Sequence, residues 1–165
     1  MWIRANLVLG AQGQSTYQGS SKGLSSRFDR ARFHQIRGES QVILIGGQTA
    51  RHEPYAKTPM PLVILSGSGD IPTAVRANPD VRIWNCSPSE AIAQLRAEGL
   101  TKILVEAGGL ILQQLSEANL LDGLYLTQTN SDIGEKRIDV EQLTCHMELV
   151  SVEDSDGESF FFYSR

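Results

Sequence analysis

Cysteine is scarce in this chain: Cys86 and Cys145 are its two, too far apart for the C-x-x-C and C-x₂₋₄-C…H-x₃₋₅-H spacings of redox and zinc sites. Both read as reduced thiols. Long apolar runs are missing too, since none approaches the roughly 18 residues of a membrane span. The opening Met1 to Asn6 has no basic segment leading into an apolar core, so no signal peptide is expected and the cytoplasm is the expected compartment. A surplus of positive charge is also absent. The chain has 15 Lys and Arg against 19 Asp and Glu, a net charge of −4, which gives no overall attraction for nucleic acid. Any anion site has to be local. His34, His52 and His146 show no ligand spacing with Cys, Asp or Glu, so no metal is expected. No G-x-S-x-G elbow is present, and hydrolysis by a serine triad has no support.

What is there is an ordinary globular make-up: 165 residues, 41% hydrophobic and 21% charged. At this length roughly 70% of the unfolded chain's surface can be buried, so the core needs neither disulfide nor metal. No repeat, linker or low-complexity segment divides the chain, and residues 1–165 read as a single domain.

Val42 to Ile45, Leu62 to Leu65 and Ile103 to Val105 are continuous aliphatic runs, the pattern of strands covered on both faces and paired in parallel. Trp2-Ile3 and Leu7 to Leu9, Val81 to Trp84 and Leu124 to Thr127 add further strands. Gly10 to Gly23, rich in Gly, Ser and Gln, reads as a loop. Ser26-x-x-Asp29 resembles a capping box and opens a helix that runs to Gly38. Ser87-Pro88-Ser89-Glu90 opens another, which Gly99 closes. Gly108-Gly109 leads into an apolar-faced helix ending near Asn119. Ser155-Asp156-Gly157 is a turn signal between two C-terminal strands. The expected fold class is α/β, a mixed, mostly parallel sheet with helices on both faces and a C-terminal antiparallel hairpin.

Gly67-Ser68-Gly69 follows a strand, yet Pro72 stands where a dinucleotide-binding helix would begin, so this is a turn. Glu106-Ala107-Gly108-Gly109 is more telling, because a buried strand ends in a carboxylate and two glycines lead straight into a helix. Glycines there let a ligand approach the backbone, and a helix start presents free N–H groups to phosphate oxygens. A tight turn with Glu106 as an ordinary polar residue fits the spacing equally well. Gly46-Gly47-Gln48-Thr49 repeats the arrangement, and two such strand ends suggest a shared cleft. Lys22, Arg27, Arg30, Arg32, His34 and Arg37 crowd the first helix. Most read as solvated surface, with Arg37 the best placed to grip a phosphate bidentately.

In their order and spacing, these residues resemble one family, the reductase domain of the riboflavin-biosynthesis deaminase/reductase. The resemblance runs over most of residues 5 to 128. It rests on Asn6 to Gly13, Ser21-Lys22, His34 to Arg37, Val42 to Thr49, Glu53-Pro54, Pro61 to Leu65, Ile103 to Gly109 and Leu120 to Leu124. It implies a dihydrofolate-reductase-like fold and reduction of the ribose of 5-amino-6-(5-phosphoribosylamino)uracil by NADPH, in a homodimer. Gly46, Gly47, Thr49, Glu53, Gly108 and Gly109 would then lie along NADPH, and Ser21, Arg37 and Glu106 would face the phosphorylated small-molecule substrate, with Glu106 the catalytic candidate. The family's usual Asp and Arg near the first strand are replaced by Gln12 and Gln14, and its Trp after the conserved Ser by Gly23. The segment after Pro54 also departs from the family pattern. The H-x-E…P-C-x-x-C zinc signature is absent, so no deaminase is expected. Two rival readings are a same-fold NADPH reductase with another substrate and a non-catalytic dinucleotide-binding protein.

Overall fold

The computed structural model describes residues 1–165. Its elements run β1 (Trp2–Leu9), β2 (Gln14–Thr16), α1 (Arg27–Gly38), β3 (Val42–Gly46), α2 (Gly47–His52), β4 (Leu62–Leu65), α3 (Thr73–Arg76) and β5 (Val81–Trp84). They continue with α4 (Pro88–Ala97), β6 (Lys102–Val105), α5 (Gly109–Glu117), β7 (Gly123–Gln128), β8 (Glu135–Arg137), α6 (Val140–Thr144), β9 (Glu148–Ser155) and β10 (Glu158–Ser164). Eight strands form one sheet in the order β5-β4-β3-β6-β1-β7-β10-β9. The pairings from β5 across to β7 are all parallel, and β10 and β9 add on antiparallel.

The continuous aliphatic runs serve both faces of the sheet, because alternate residues of a strand point to opposite sides. Ile3, Ala5, Val42, Leu44, Ile103 and Val105 pack with Ala91, Ile92 and Leu95 of α4 and with Leu112 and Leu115 of α5. Ile43, Ile45, Leu62 and Ile64 face the other way, onto Ala50, Tyr55, Ile71 and Val75. Fully burying one such side chain contributes about 1.5–3 kcal/mol, so the doubly covered central strands anchor the fold. Helix starts follow the expected chemistry. Ser26 accepts from the amides of Phe28 and Asp29, and Ser87 and Glu90 form a reciprocal capping box. The turn between β9 and β10 has φ of 49° at Asp156 and 80° at Gly157, the paired positive values that match a tight hairpin to strand twist.

The stretch from Gly10 to Gly23 differs from the loop expected of it. Residues 14–16 form β2, which pairs antiparallel with β8, and Ser21–Gly23 make a 3₁₀ turn. Gln14 is buried; its amide donates to the Asp132 carbonyl while its side-chain oxygen accepts from the Gln12 amide. Three-residue strands whose partners lie far along the chain carry no local periodicity, which is why the sequence reads as loop.

The first strand lies between β6 and β7, and the connection out of it passes over β6 to reach β3. Such a switch in strand order leaves a crevice beyond the carboxyl ends of the strands. Here it is a cavity of about 1050 Å³, walled by the ends of β1, β3 and β6, one face of α1, the start of α5 and the β2–β8 ribbon.

Candidate active site

At the floor of this cavity Glu106, the residue directly after β6, is buried and held by three donors. Arg37 Nε donates to Oε1 at 2.8 Å, Arg37 Nη2 to Oε2 at 2.6 Å, and the Tyr55 hydroxyl to Oε2 at 2.5 Å. The guanidinium stacks 4.0 Å from the centre of the Phe33 ring. Burial alone would lower the Arg37 guanidinium, but its hydrogen bonds and charge pairing with Glu106 outweigh that and raise it. Burial, reinforced by the Glu106 charge, pushes the Tyr55 phenol well above its usual value, so the hydroxyl keeps its proton and donates. The fork of Arg37, expected on a phosphate, is therefore closed on a carboxylate. Its planar bidentate geometry suits either anion, and the buried Glu106 supplies the nearer one.

The two glycine-terminated strands both reach the cavity, and they differ in what surrounds them. A Cβ on Gly46 would stand 2.9 Å from Ile111 Cδ1, and one on Gly47 would stand 3.0 Å from Ser66 Oγ. At Gly108 no atom lies within 4 Å of where a Cβ would be, and the space opens into the cavity. Gly108 is also the N-cap of α5 and provides no side-chain cap, so the amides of Gly109 and Leu110 are left without partners. On Gly109 a Cβ would meet Ile138 at 3.2 Å.

Among the other expected residues, Thr49 lines the cavity from α2. Glu53 also borders it, but its carboxylate is engaged within the protein, accepting from the Ser21 amide at 2.6 Å and from Ser20 Oγ at 3.0 Å. Glu53 thus fastens the 3₁₀ turn that carries Ser21 and Lys22 to the cavity rim. Gly67 to Gly69 form a bend outside the cavity lining. Sequence reasoning missed Tyr55, Asp29 and Phe33, which all face the cavity, and the contribution of Lys136 and Arg137 from β8. One signal was available: Asp29, Phe33 and Arg37 are spaced i, i+4, i+8 and so share one face of α1.

Over residues 2–159 the chain matches the family model of the RibD C-terminal domain. The chain belongs to the RibD C-terminal domain family. Among solved structures it is similar to a pyrimidine reductase-like protein from Corynebacterium diphtheriae, with 22% identity and a TM-score of 0.80 over 99% of this chain and 91% of that one. A diaminohydroxyphosphoribosylaminopyrimidine deaminase/5-amino-6-(5-phosphoribosylamino)uracil reductase from Thermotoga maritima matches with 16% identity and a TM-score of 0.74, over 99% of this chain and 56% of that one. RibD from Acinetobacter baumannii matches with 16% identity and a TM-score of 0.79, over 99% of this chain and 57% of that one. The chain therefore spans slightly more than half of the latter two. At these identities the likeness establishes the fold, a mixed sheet shared with RibD proteins. Among curated proteins, none matches it in sequence.

Proposed function

We propose that this RibD-type domain is an NADPH-dependent reductase acting on an aminopyrimidine ribosyl phosphate of the riboflavin pathway. The observation that carries the reading is the open approach at Gly108, where an uncapped helix start faces a cavity of about 1050 Å³ at the carboxyl ends of the strands. That cradle fits a dinucleotide. Backbone N–H groups at the head of α5 would hold its phosphates, and Thr49 would line its path from the β3 side. NADPH when bound supplies the hydride, so the protein's task is to position and to shield.

Glu106 is the residue placed to meet the substrate. With three donors already on its two oxygens, it retains acceptor capacity for one substrate hydroxyl. Arg37 and Tyr55 fix the carboxylate's orientation, which makes them positioning residues. Ser21, set at the rim by Glu53, is free to contact the substrate through its side chain. With Arg37 committed to Glu106, the substrate phosphate falls to the basic side chains around the rim, among them Lys22 and Lys57. This same commitment, together with Gln12, Gln14 and Gly23, favours as a second reading a reductase of the same fold with a different small substrate. For the homodimer that the resemblance implies, the exposed Leu149, Val150 and Val152 of edge strand β9 offer an apolar surface, and sedimentation velocity would read its formation.

The decisive assay follows NADPH absorbance with 5-amino-6-(5-phosphoribosylamino)uracil. Turnover establishes the proposed reaction. NADPH binding without turnover of this compound, but with turnover of another carbonyl or imine, selects the second reading. Undetectable binding at millimolar NADPH removes both.

A further inference from the structure

Four residues other than glycine hold left-handed backbone, at φ between 49° and 56°: Gln18, Asn119, Lys136 and Asp156. Three of them sit in turns that call for it. Asp156 turns the β9–β10 hairpin, and Gln18 with Gly19 turns the bridge between Tyr17 and Ser20. Asn119 follows the last turn of α5, where the Leu120 amide donates back to the Leu115 carbonyl. Lys136 has no such reason. It is the middle residue of β8, a lysine at φ 53° within a strand. That conformation is costly for a residue with a side chain and persists only where the surrounding structure enforces it.

The β2–β8 ribbon does enforce it. Ser15 Oγ donates to the Lys136 carbonyl at 2.6 Å, and the Ile138 amide donates to the Gly13 carbonyl at 3.0 Å. The result shows in the side chains. Successive residues of a strand face opposite sides, yet Lys136 and Arg137 both line the cavity while Glu135 does not. Arg137 is committed, donating to Gln12 Oε1 at 2.7 Å. The protein's two ion pairs, Arg37–Glu106 and Arg82–Glu98, leave the Lys136 ammonium unpaired. Two residues on, Ile138 is the side chain that a Cβ on Gly109 would meet. Two residues of chain span at most about 7 Å, a distance comparable to the length of a lysine side chain. An unpaired cation and the two partnerless amides of Gly109 and Leu110 therefore border the same part of the cavity.

We infer that Lys136 clamps the diphosphate of the dinucleotide against the head of α5. This inference rests on the reductase reading and deepens it. A diphosphate spreads its charge over several oxygens, so the helix amides take one side of it and a lysine, acting as a point charge, takes the other. The left-handed backbone is the means by which β8 turns that ammonium into the cavity.

Three variants at Lys136 test it, read by fluorescence titration with NADPH and by thermal melts. Lys136→Gly and Lys136→Asn both accept left-handed backbone and remove the charge. Each should weaken NADPH binding at least about fivefold while the melting temperature holds or rises, so that binding and stability move apart. Lys136→Arg keeps the charge and should bind within about twofold of the parent. Unchanged NADPH affinity in folded Lys136→Gly and Lys136→Asn proteins overturns the inference. So does a loss confined to Lys136→Gly, which reports a loosened ribbon, or a loss of the same size in Lys136→Arg. A raised KM for 5-amino-6-(5-phosphoribosylamino)uracil with NADPH affinity intact gives the ammonium to the substrate phosphate and overturns it as well. Failure of the reductase reading is a separate result, seen as undetectable NADPH binding by the unmodified protein.

Discussion

The ends of β3 and β6 carry the same signature, a pair of glycines leading into a helix, for different physical reasons. At β3 the glycines are filled against: Ile111 occupies the space over Gly46, and Ser66 the space over Gly47. Their small size serves packing. At β6 the space over Gly108 is empty, its backbone at φ −68° and ψ 167° is one any residue adopts, and the residue before Ala107 is the buried Glu106. Neither packing nor backbone conformation requires glycine there. A glycine pair thus marks close approach without saying whether the approaching atoms belong to the protein or to a ligand.

The largest effect expected is at the β6 end, where Arg37→Ala would strand the Glu106 carboxylate in the interior. Removing one partner of a buried pair typically costs about 3–5 kcal/mol. Denaturant unfolding should show that loss, against less than about 0.5 kcal/mol if Arg37 were an ordinary surface residue.

Exchanging the glycines sharpens the contrast most directly. Gly47→Val has to displace Ser66 and should cost about 1–3 kcal/mol of stability, as overpacking does. Gly108→Val should leave the melting temperature in place and abolish NADPH binding in a fluorescence titration. Normal binding by a folded Gly108→Val protein would show that no phosphate passes there.

Glu106→Gln tests the chemistry of the same strand end. Loss of an interaction made only in the transition state should lower kcat at least tenfold, about 1.4 kcal/mol in the barrier, with NADPH affinity retained. Unchanged kinetics in a stable variant would remove Glu106 from the site.

The smallest effect belongs to Tyr55. Tyr55→Phe deletes one of three donors to Glu106 and should cost about 1 kcal/mol. The phenol's raised value also makes stability depend on pH. Unfolded tyrosine ionises near its ordinary value of 10.0 while the buried phenol holds its proton. Its contribution is therefore complete below about pH 10 and is lost as pH climbs through the higher folded value. Melts above pH 10 should fall less steeply in Tyr55→Phe than in the parent.

Most of the sheet was legible in the sequence because its strands are buried on both faces, and β3, β4 and β6 consequently read as unbroken aliphatic runs. The hairpin was legible in Asp156-Gly157, and α4 in Ser87-Pro88-Ser89-Glu90. The site was legible only in part. Glu106 stood out by its place between a strand and two glycines, but its partners are 69 and 51 residues away, beyond any local pattern. Arg37 stands out in the sequence for its bidentate fork, but nothing local to it reveals that the fork closes on Glu106. Asp29 was read as part of a helix cap, a role that Ser26 fills, and the same position on the first turn of α1 turns its side chain to the cavity.

The central place of β1 has a consequence for synthesis. Trp2 pairs with Lys102 on one side and Arg4 with Gly123 on the other, so β1 is made before both of the strands that flank it and waits for them. Until Leu124 and Leu126 of β7 leave the ribosome, Leu7 and Leu9 lack their neighbours on that flank. Completion of the sheet is then a late event, closing around an element made well before its partners. A nascent chain stalled between β6 and β7 would hold β1 paired on one edge only, the form in which a growing polypeptide is most in need of a chaperone.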